Sequence, residues 1–534
     1  MNALPLLVIL LPLGAAAVAH LSRPGSRTAP RAVYLLNACG FGFALVLLVA
    51  SIGSDPGGLV LSPGGSDVWF GISADRLGAL LLVMICGVST IVQAFAGRYL
   101  YGDVRQRRFF VAANLLTGAT ALMVTSVTLV GFAVGWSLAG ASLVLLLRMY
   151  PGVAAADDGA RRTALAFLVG DGALWVAVIV ATLTWGNLDL RQMSGAGLES
   201  AGDGIPLALV ACLTVMAALS RSGQIPFHNW LPMTVAVPTP VSALLHAGVV
   251  NAGGILLVRM SPVFGASSLA THVAFIAGAS TAVYGTALML TKPDVKGALA
   301  HSTMGQMGFM IMTCGIGAWA AAIIHLVAHG MFKSSLFLGS GSAVKSGLDS
   351  RKAPPLRGTR PARKLLAGAM SVLVPGGAII VSIRIFYPEP DSASVALLIF
   401  AWATAAWSLW GWSIRKPGPG GILAGSIAIS AAIVAYVLMV RVAGAFLAPD
   451  LADAGTATLG PAWVAALVGA IALTGLIRFR PGGTLLSSLH KNLYVGALAA
   501  SQSSVTRRRS LSWQPAGRTR SPGRLMPRSQ GVRT

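Results

Sequence analysis

The chain is a succession of apolar runs of about 20 residues, each long enough to cross a bilayer as a helix, separated by short polar stretches. About fifteen such runs are distinguishable by length. They centre near residues 12, 43, 87, 117, 137, 173, 214, 249, 279, 304, 330, 375, 402, 433 and 468. The pattern predicts an all-α fold, a polytopic membrane helix bundle. The first run, Asn2–Leu21, has no basic leader and no convincing cleavage site, which predicts a retained span.

The polar stretches fall into two alternating sets. One holds Arg23, Arg27 and Arg31, then Arg105, Arg107 and Arg108, Arg161 and Arg162, Lys292 and Lys296, the segment Lys345–Lys364, and Arg415 with Lys416. The other holds Asp55 and Asp67, then Asp189, Glu199 and Asp203, Glu389 and Asp391, and Asp450 and Asp453. Basic loops stay in the cytoplasm. The expectation is a multi-pass protein of a bacterial inner membrane with its N-terminus outside and its C-terminus in the cytoplasm. Four parts are expected: a transmembrane core (1–344), a basic cytoplasmic loop (345–364), C-terminal transmembrane helices (365–478) and a basic, disordered cytoplasmic tail (479–534). Residues 501–534 of that tail carry eight Arg and no acid, and they have no apolar periodicity with which to build a core.

Composition agrees. Hydrophobic residues make up 55% of the 534 and charged residues 10%, against about 25% charged in soluble domains. The net charge of +23 sits in loops and tail, a topogenic pattern rather than a nucleic-acid footprint. Cys39, Cys86, Cys212 and Cys314 lie in or beside apolar runs without metal-ligand spacing and read as small hydrophobes. There is no Walker loop, no dinucleotide fingerprint and no zinc cluster. No cofactor is expected in this chain, and no enzymatic activity of its own.

Against this background the ionisable residues inside apolar runs stand out, because such groups are costly in a membrane and mark ion or proton paths. His325, His329 and Lys333 in IIHLVAHGMFKSSLFL are four apart each time. A helix stacks them on one face, rising about 6 Å between neighbours. His246, in PVSALLHAGVVNAGG, is equally suited to a proton relay or to a bond with a neighbouring carbonyl. Asp171 is the acid placed well inside a run, and Arg221 is its preferred partner, either as part of a path or as a plain structural pair. His301 and Gln306, in HSTMGQMGFM, are accessory candidates. Asp294 and Lys296 are expected to cap and orient the next helix. Between Arg221 and His246, Pro226, Pro232, Pro238 and Pro240 interrupt a span. Phe227–Thr239 is expected as a loop at the cytoplasmic face, with Arg221 and His246 in the flanking helices.

SRSGQIPFHNWLPMTVAVPTPVSALLHAG resembles the signature of the antiporter-like proton-translocating subunits of complex I, Mrp antiporters and membrane-bound hydrogenases. HSTMGQMGFM followed by IIHLVAHGMFKSSLFLGSGS resembles the later discontinuous-helix region of the same family. HAGVVNAGGILLVRMSP, MGQMGFMIMTCGIGAWAAAIIHLVAHGMFK and RMYPGVAAADDGARRTALAFLVGD are most similar to the branch of DabB-type subunits of inorganic carbon pumps. The resemblance implies a cation path through Arg221, at the position of the family's central lysine, His246, and the relay His325, His329 and Lys333. It also implies a DabA-like cytoplasmic zinc subunit as partner. Two positions depart from the pattern. The fifth-span glutamate is replaced by Ser137 in GWSLAG, and residues 365–386 lack the family's lysine, holding only Arg384.

The expected function is a subunit conducting protons, or alternatively Na+, within an energy-coupled inorganic carbon pump. The alternatives are a proton-pumping subunit of a complex I or hydrogenase type electron-transport complex, and a non-conducting membrane scaffold.

Overall fold

A computed structural model describes residues 3–451 except 24, 25, 27, 54–57, 62–67, 69, 187, 188, 191–203, 293, 342–360, 387–391 and 417, together with Gly469. Helices α1 (Leu4–Leu21) and α2 (Ala29–Gly53) are followed by an antiparallel hairpin, β1 (Gly58–Leu61) with β2 (Phe70–Ser73), in register Gly58↔Ser73. Then come α3 (Arg76–Tyr99), α4 (Gln106–Thr125), α5 (Leu129–Leu147), α6 (Ala154–Trp185) and α7 (Gly204–Arg221). A broken segment follows, made of α8 (Thr239–Ala247), α9 (Ala252–Arg259) and the short α10 (Ser261–Ala266). The remainder comprises α11 (Ser268–Thr291), α12 (Val295–Gly315), α13 (Trp319–Leu338), α14 (Pro361–Phe386), α15 (Ser392–Arg415) and α16 (Pro419–Leu447).

The fold is an all-α polytopic membrane bundle, as the apolar runs predict. Every run up to residue 433 coincides with a helix, or with the broken segment for the run near 249. The count of strongly apolar spans is lower than about fifteen: twelve described helices are long and apolar enough to cross a membrane. The spans α12 and α15 are outside that set; in α12, His301, Ser302, Thr303, Gln306 and its glycines dilute the apolar surface. The run near 468, most of the 345–364 loop and the tail lie outside the described residues. Pro361–Lys364 already belong to α14.

Sequence-local rules account for the helix starts. Asp75, Thr128 and Asp294 each cap a helix by accepting from a backbone N–H three residues on, at Gly78, Gly131 and Gly297. Asp294 thus caps as expected, whereas Lys296 reaches away and donates to the Val237 carbonyl at 3.0 Å. Near the end of α5, Tyr150 donates to Asp103 in the α3–α4 turn while Arg105 covers its ring at 4.7 Å. That bond holds the Asp103 carboxyl below its usual range, and burial plus the same contact push the Tyr150 phenol up to about 12. The clip therefore stabilises the turns at neutral pH and is lost as pH falls through the depressed carboxylate range.

One continuous core runs from Val8 to Leu447, and Ile379, Ile433 and Val437 form a second, smaller one among the C-terminal helices. Helices α11 and α12 pack backbone to backbone. A Cβ on Gly308 would lie 2.6 Å from Ala282 N, and one on Gly278 2.5 Å from Met312 N. Small residues permit this approach in membranes, and it fixes the face of α12 that carries His301, Ser302 and Gln306. Gly308→Val is expected to force the pair apart at a cost of about 3 kcal/mol, the upper end for overpacking. A lower melting temperature of the detergent-solubilised protein would register the loss.

Candidate ion path

The broken segment Thr239–Arg259 is buried nearly throughout, more so than any other span. Pro238 precedes its start and Pro240 occupies its first turn, where proline costs no hydrogen bond. The helix gives way at Gly248 to a 3-10 turn, Val249–Asn251. Side chains take over carbonyls at the joint: Asn251 Nδ2 donates to Ala247 O at 2.7 Å, and Ser222 Oγ donates to Val250 O at 2.8 Å. Irregular backbone at membrane depth persists where protein satisfies it in this way. Upstream, α7 stops at Arg221 because Gly223 takes φ +60°, a conformation that glycine adopts freely. Phe227–Thr239 is not a plain surface loop. His228–Ala236 forms a 3-10 helix that buries Trp230 and Leu231, and Trp230 Nε1 donates to Ser220 O at 3.0 Å.

Helix α13 carries the His325–His329–Lys333 stripe, and it is continuous from Trp319 to Leu338. Up to Leu338 there is no break; a turn at Gly339 then interrupts the helix before Ser340 and Gly341, which are helical again, and the residues beyond lie outside the described ones. The stretch has no proline, and Gly330 serves close packing instead: a Cβ there would lie 2.9 Å from Ala247 O and 3.4 Å from Asn251 Nδ2. The relay helix is thereby pressed against the joint of the broken segment. Lys333 is 1% exposed. Its Nζ donates to Ser302 Oγ at 2.8 Å and points at Leu299 O at 3.5 Å. The rings of His325 and His329 stack at 5.9 Å, and His325 meets Phe309 edge-on at 5.0 Å. His246, also 1% exposed, stacks on Phe337 at 4.3 Å, one turn along from Lys333. His301 is buried rather than wet, with Nδ1 at 2.8 Å from its own helix's Gly297 O.

These groups share an unusual property. His246 Nδ1, both ring nitrogens of His329, His325 Nε2, Asn251 Oδ1 and Gln306 Oε1 are buried and have no protein hydrogen-bond partner. Buried polar atoms are normally paired, with protein or with ordered water. A run of them shared by α13, α12 and the joint of the broken segment has the character of a hydrated line rather than a packed core.

Asp171 and Arg221 do meet. Arg221 Nη2 donates to Asp171 Oδ1 at 2.6 Å, and Nη1 to Trp136 O at 3.2 Å. Trp136 Nε1 donates to the same carboxylate oxygen at 2.7 Å. Trp136 and Phe167 cover the guanidinium at 4.4 and 4.1 Å, and Ser137 accepts from Trp175 Nε1 at 3.1 Å.

Sequence reasoning missed Ser302, Asn251, Gln224 and Trp136. Serine within a helix usually bonds its own turn, so Ser302 gave no signal. Asn251 was visible as the lone amide in an apolar run beside a double glycine. Ser302→Ala is expected to slow transport about tenfold, as for loss of a hydrogen bond to a charged group. An uptake assay at matched membrane abundance measures it.

Residues 126–412 match the transmembrane family of NADH:quinone oxidoreductases and Mrp antiporters. Residues 61–110 match the N-terminal part of complex I chain 5. A "Probable inorganic carbon transporter subunit DabB1" of Halothiobacillus neapolitanus is 36% identical over 74% of this chain and 74% of its own. A "Probable inorganic carbon transporter subunit DabB" of Bacillus subtilis is 38% identical over 51% of this chain and 53% of its own. NADH-quinone oxidoreductase subunit L of Mycobacterium tuberculosis is 32% identical over 66% of this chain and 58% of its own. Among solved structures, the Mrp complex from Dietzia superposes with a TM-score of 0.64 at 23% identity, covering 98% of this chain and 64% of that one. This chain therefore belongs to the NADH:quinone oxidoreductase and Mrp antiporter transmembrane family, as an antiporter-like multi-pass membrane subunit.

Proposed function

We propose that the chain is the proton-conducting membrane subunit of an energy-coupled inorganic carbon pump, working with a DabA-like cytoplasmic zinc subunit. The single observation that carries the conduction is the buried line of unpartnered imidazole nitrogens that ends on Lys333. Three imidazoles and one amine can each take up and give back a proton. Water bridging atoms that lack a protein partner completes the steps between them. Protons fit this line better than Na+, because its ionisable groups are nitrogen bases and hard cations favour oxygen ligands. The carbon-pump assignment and the zinc partner rest on similarity to the DabB proteins. Ser137, and the absence of lysine from residues 365–386, weigh against a complex I type machine built on switching pairs at those positions. The charge of the basic loops supports their placement in the cytoplasm, and the inner-membrane location rests on similarity to the bacterial relatives.

The test is growth of a carbonic-anhydrase-deficient bacterium in ambient air. It would express this chain with and without a DabA-like zinc subunit. Rescue that requires both proteins is the expected result. Absence of rescue with both proteins present in the membrane would remove the carbon-pump reading and favour the electron-transport one.

A further inference from the structure

Around Arg221 the bundle holds a second polar region, apart from the line on α12 and α13. Ser220, Arg221, Ser222 and Gln224 come from the end of α7, Trp136 and Ser137 from α5, and Asp171 from α6. Two buried polar atoms in it, Arg221 Nε and Gln224 Oε1, lack a protein partner, and the Asp171 side chain is 20% exposed. Unpartnered polar atoms at this depth, next to the joint of the broken segment, offer ions an unproductive way across.

The construction around the guanidinium answers that hazard. Aromatic rings cover it on two sides, and its Nη atoms are bound to Asp171 and to the Trp136 carbonyl. Gly140 supplies the space, since a Cβ there would stand 2.9 Å from both Nη1 and Nη2. Arginine does not release its proton in proteins, so this group cannot alternate between charged and neutral forms as a lysine can. The mobile pair that an acid at position 137 would permit is absent, because Ser137 stands there and accepts from Trp175. Ser222 and Gln224 are likewise engaged, Ser222 Oγ on Val250 O and Gln224 Nε2 on Ser222 O, each at 2.8 Å.

We propose that Arg221 is a fixed cationic barrier, seated by Trp136, Gly140, Phe167 and Asp171, that seals the α5–α7 region against cations and confines transport to the α12–α13 line. A permanent positive charge in a narrow polar passage excludes protons and cations in other membrane proteins by the same electrostatics. The proposal rests on the conducting role of α12–α13, and its test separates the two.

The full chain with its partner is reconstituted into vesicles. Proton entry driven by a potassium diffusion potential is followed with an internal pH dye, without inorganic carbon. The paired change Arg221→Gln with Asp171→Asn removes both charges together while keeping two amides in place. Its passive leak is expected to rise about tenfold, as about 1.4 kcal/mol of lost barrier gives, and to persist when Lys333→Ala is added. Arg221→Lys restores a cation but one that can release its proton, so its leak is expected to rise above wild type while staying below that of the paired variant. An unchanged leak in the paired variant overturns the barrier, as does an increase that Lys333→Ala abolishes. Failure of Lys333→Ala to affect carbon-coupled transport would instead overturn the α12–α13 reading while leaving the leak result standing.

Discussion

Lys333→Ala abolishes carbon-dependent growth while leaving the protein in the membrane at normal abundance: this is the largest effect expected of any single change. The Lys333 ammonium is the buried terminus of the line, held by Ser302 at 2.8 Å, and alanine supplies neither a proton site nor a donor. Loss of a positioned proton-transfer group costs about 100-fold or more. Stability should change little or improve, because a buried amine is itself a burden on the fold. His329→Ala is expected to behave alike, since its two ring nitrogens lack protein partners and its removal breaks no protein hydrogen bond. Growth in air, scored beside immunodetection in membranes, measures both. Normal growth of both variants would remove the relay.

Asp171→Ala carries the second large effect, and it falls on folding. The change leaves Arg221, 1% exposed, without its carboxylate, and leaves Trp136 Nε1 without its acceptor. Breaking a buried pair by deleting one partner costs about 3 kcal/mol or more, enough to lower abundance several-fold. Replacing both partners, Asp171→Leu with Arg221→Met, is expected to recover most of that stability, because well-packed apolar residues substitute for a buried pair at little cost. Thermal melting of the purified variants distinguishes the cases. Equal destabilisation by the single and double changes would mean that the pair is not the source of the penalty.

The stripe on α13 was legible because helical periodicity alone puts residues 325, 329 and 333 on one face. The Asp171–Arg221 pair was legible across 50 residues because a buried charge needs a partner and few were on offer. Tertiary contacts were not. Ser302 became a partner of Lys333 through the register of α12 against α13, which the backbone approach at Gly278 and Gly308 sets. Gly330 could equally have been a break or a contact, and only the nearness of the Ala247 carbonyl decides for the contact. The proline-rich run looked like a loop because four prolines forbid a regular span. Its 3-10 form instead packs Trp230 into the bundle, where it donates to the carbonyl of Ser220 beside Arg221.

The central claim is that inorganic carbon uptake is coupled to protons moving along α13. The most direct measurement is proton flux in sealed vesicles that hold the full chain and the proposed DabA-like zinc subunit, on addition of inorganic carbon, with wild type, His329→Ala and Lys333→Ala in parallel. The account predicts a carbon-triggered pH change in wild type that both variants lose, with abundance matched. A carbon-triggered change of equal size in all three would contradict it.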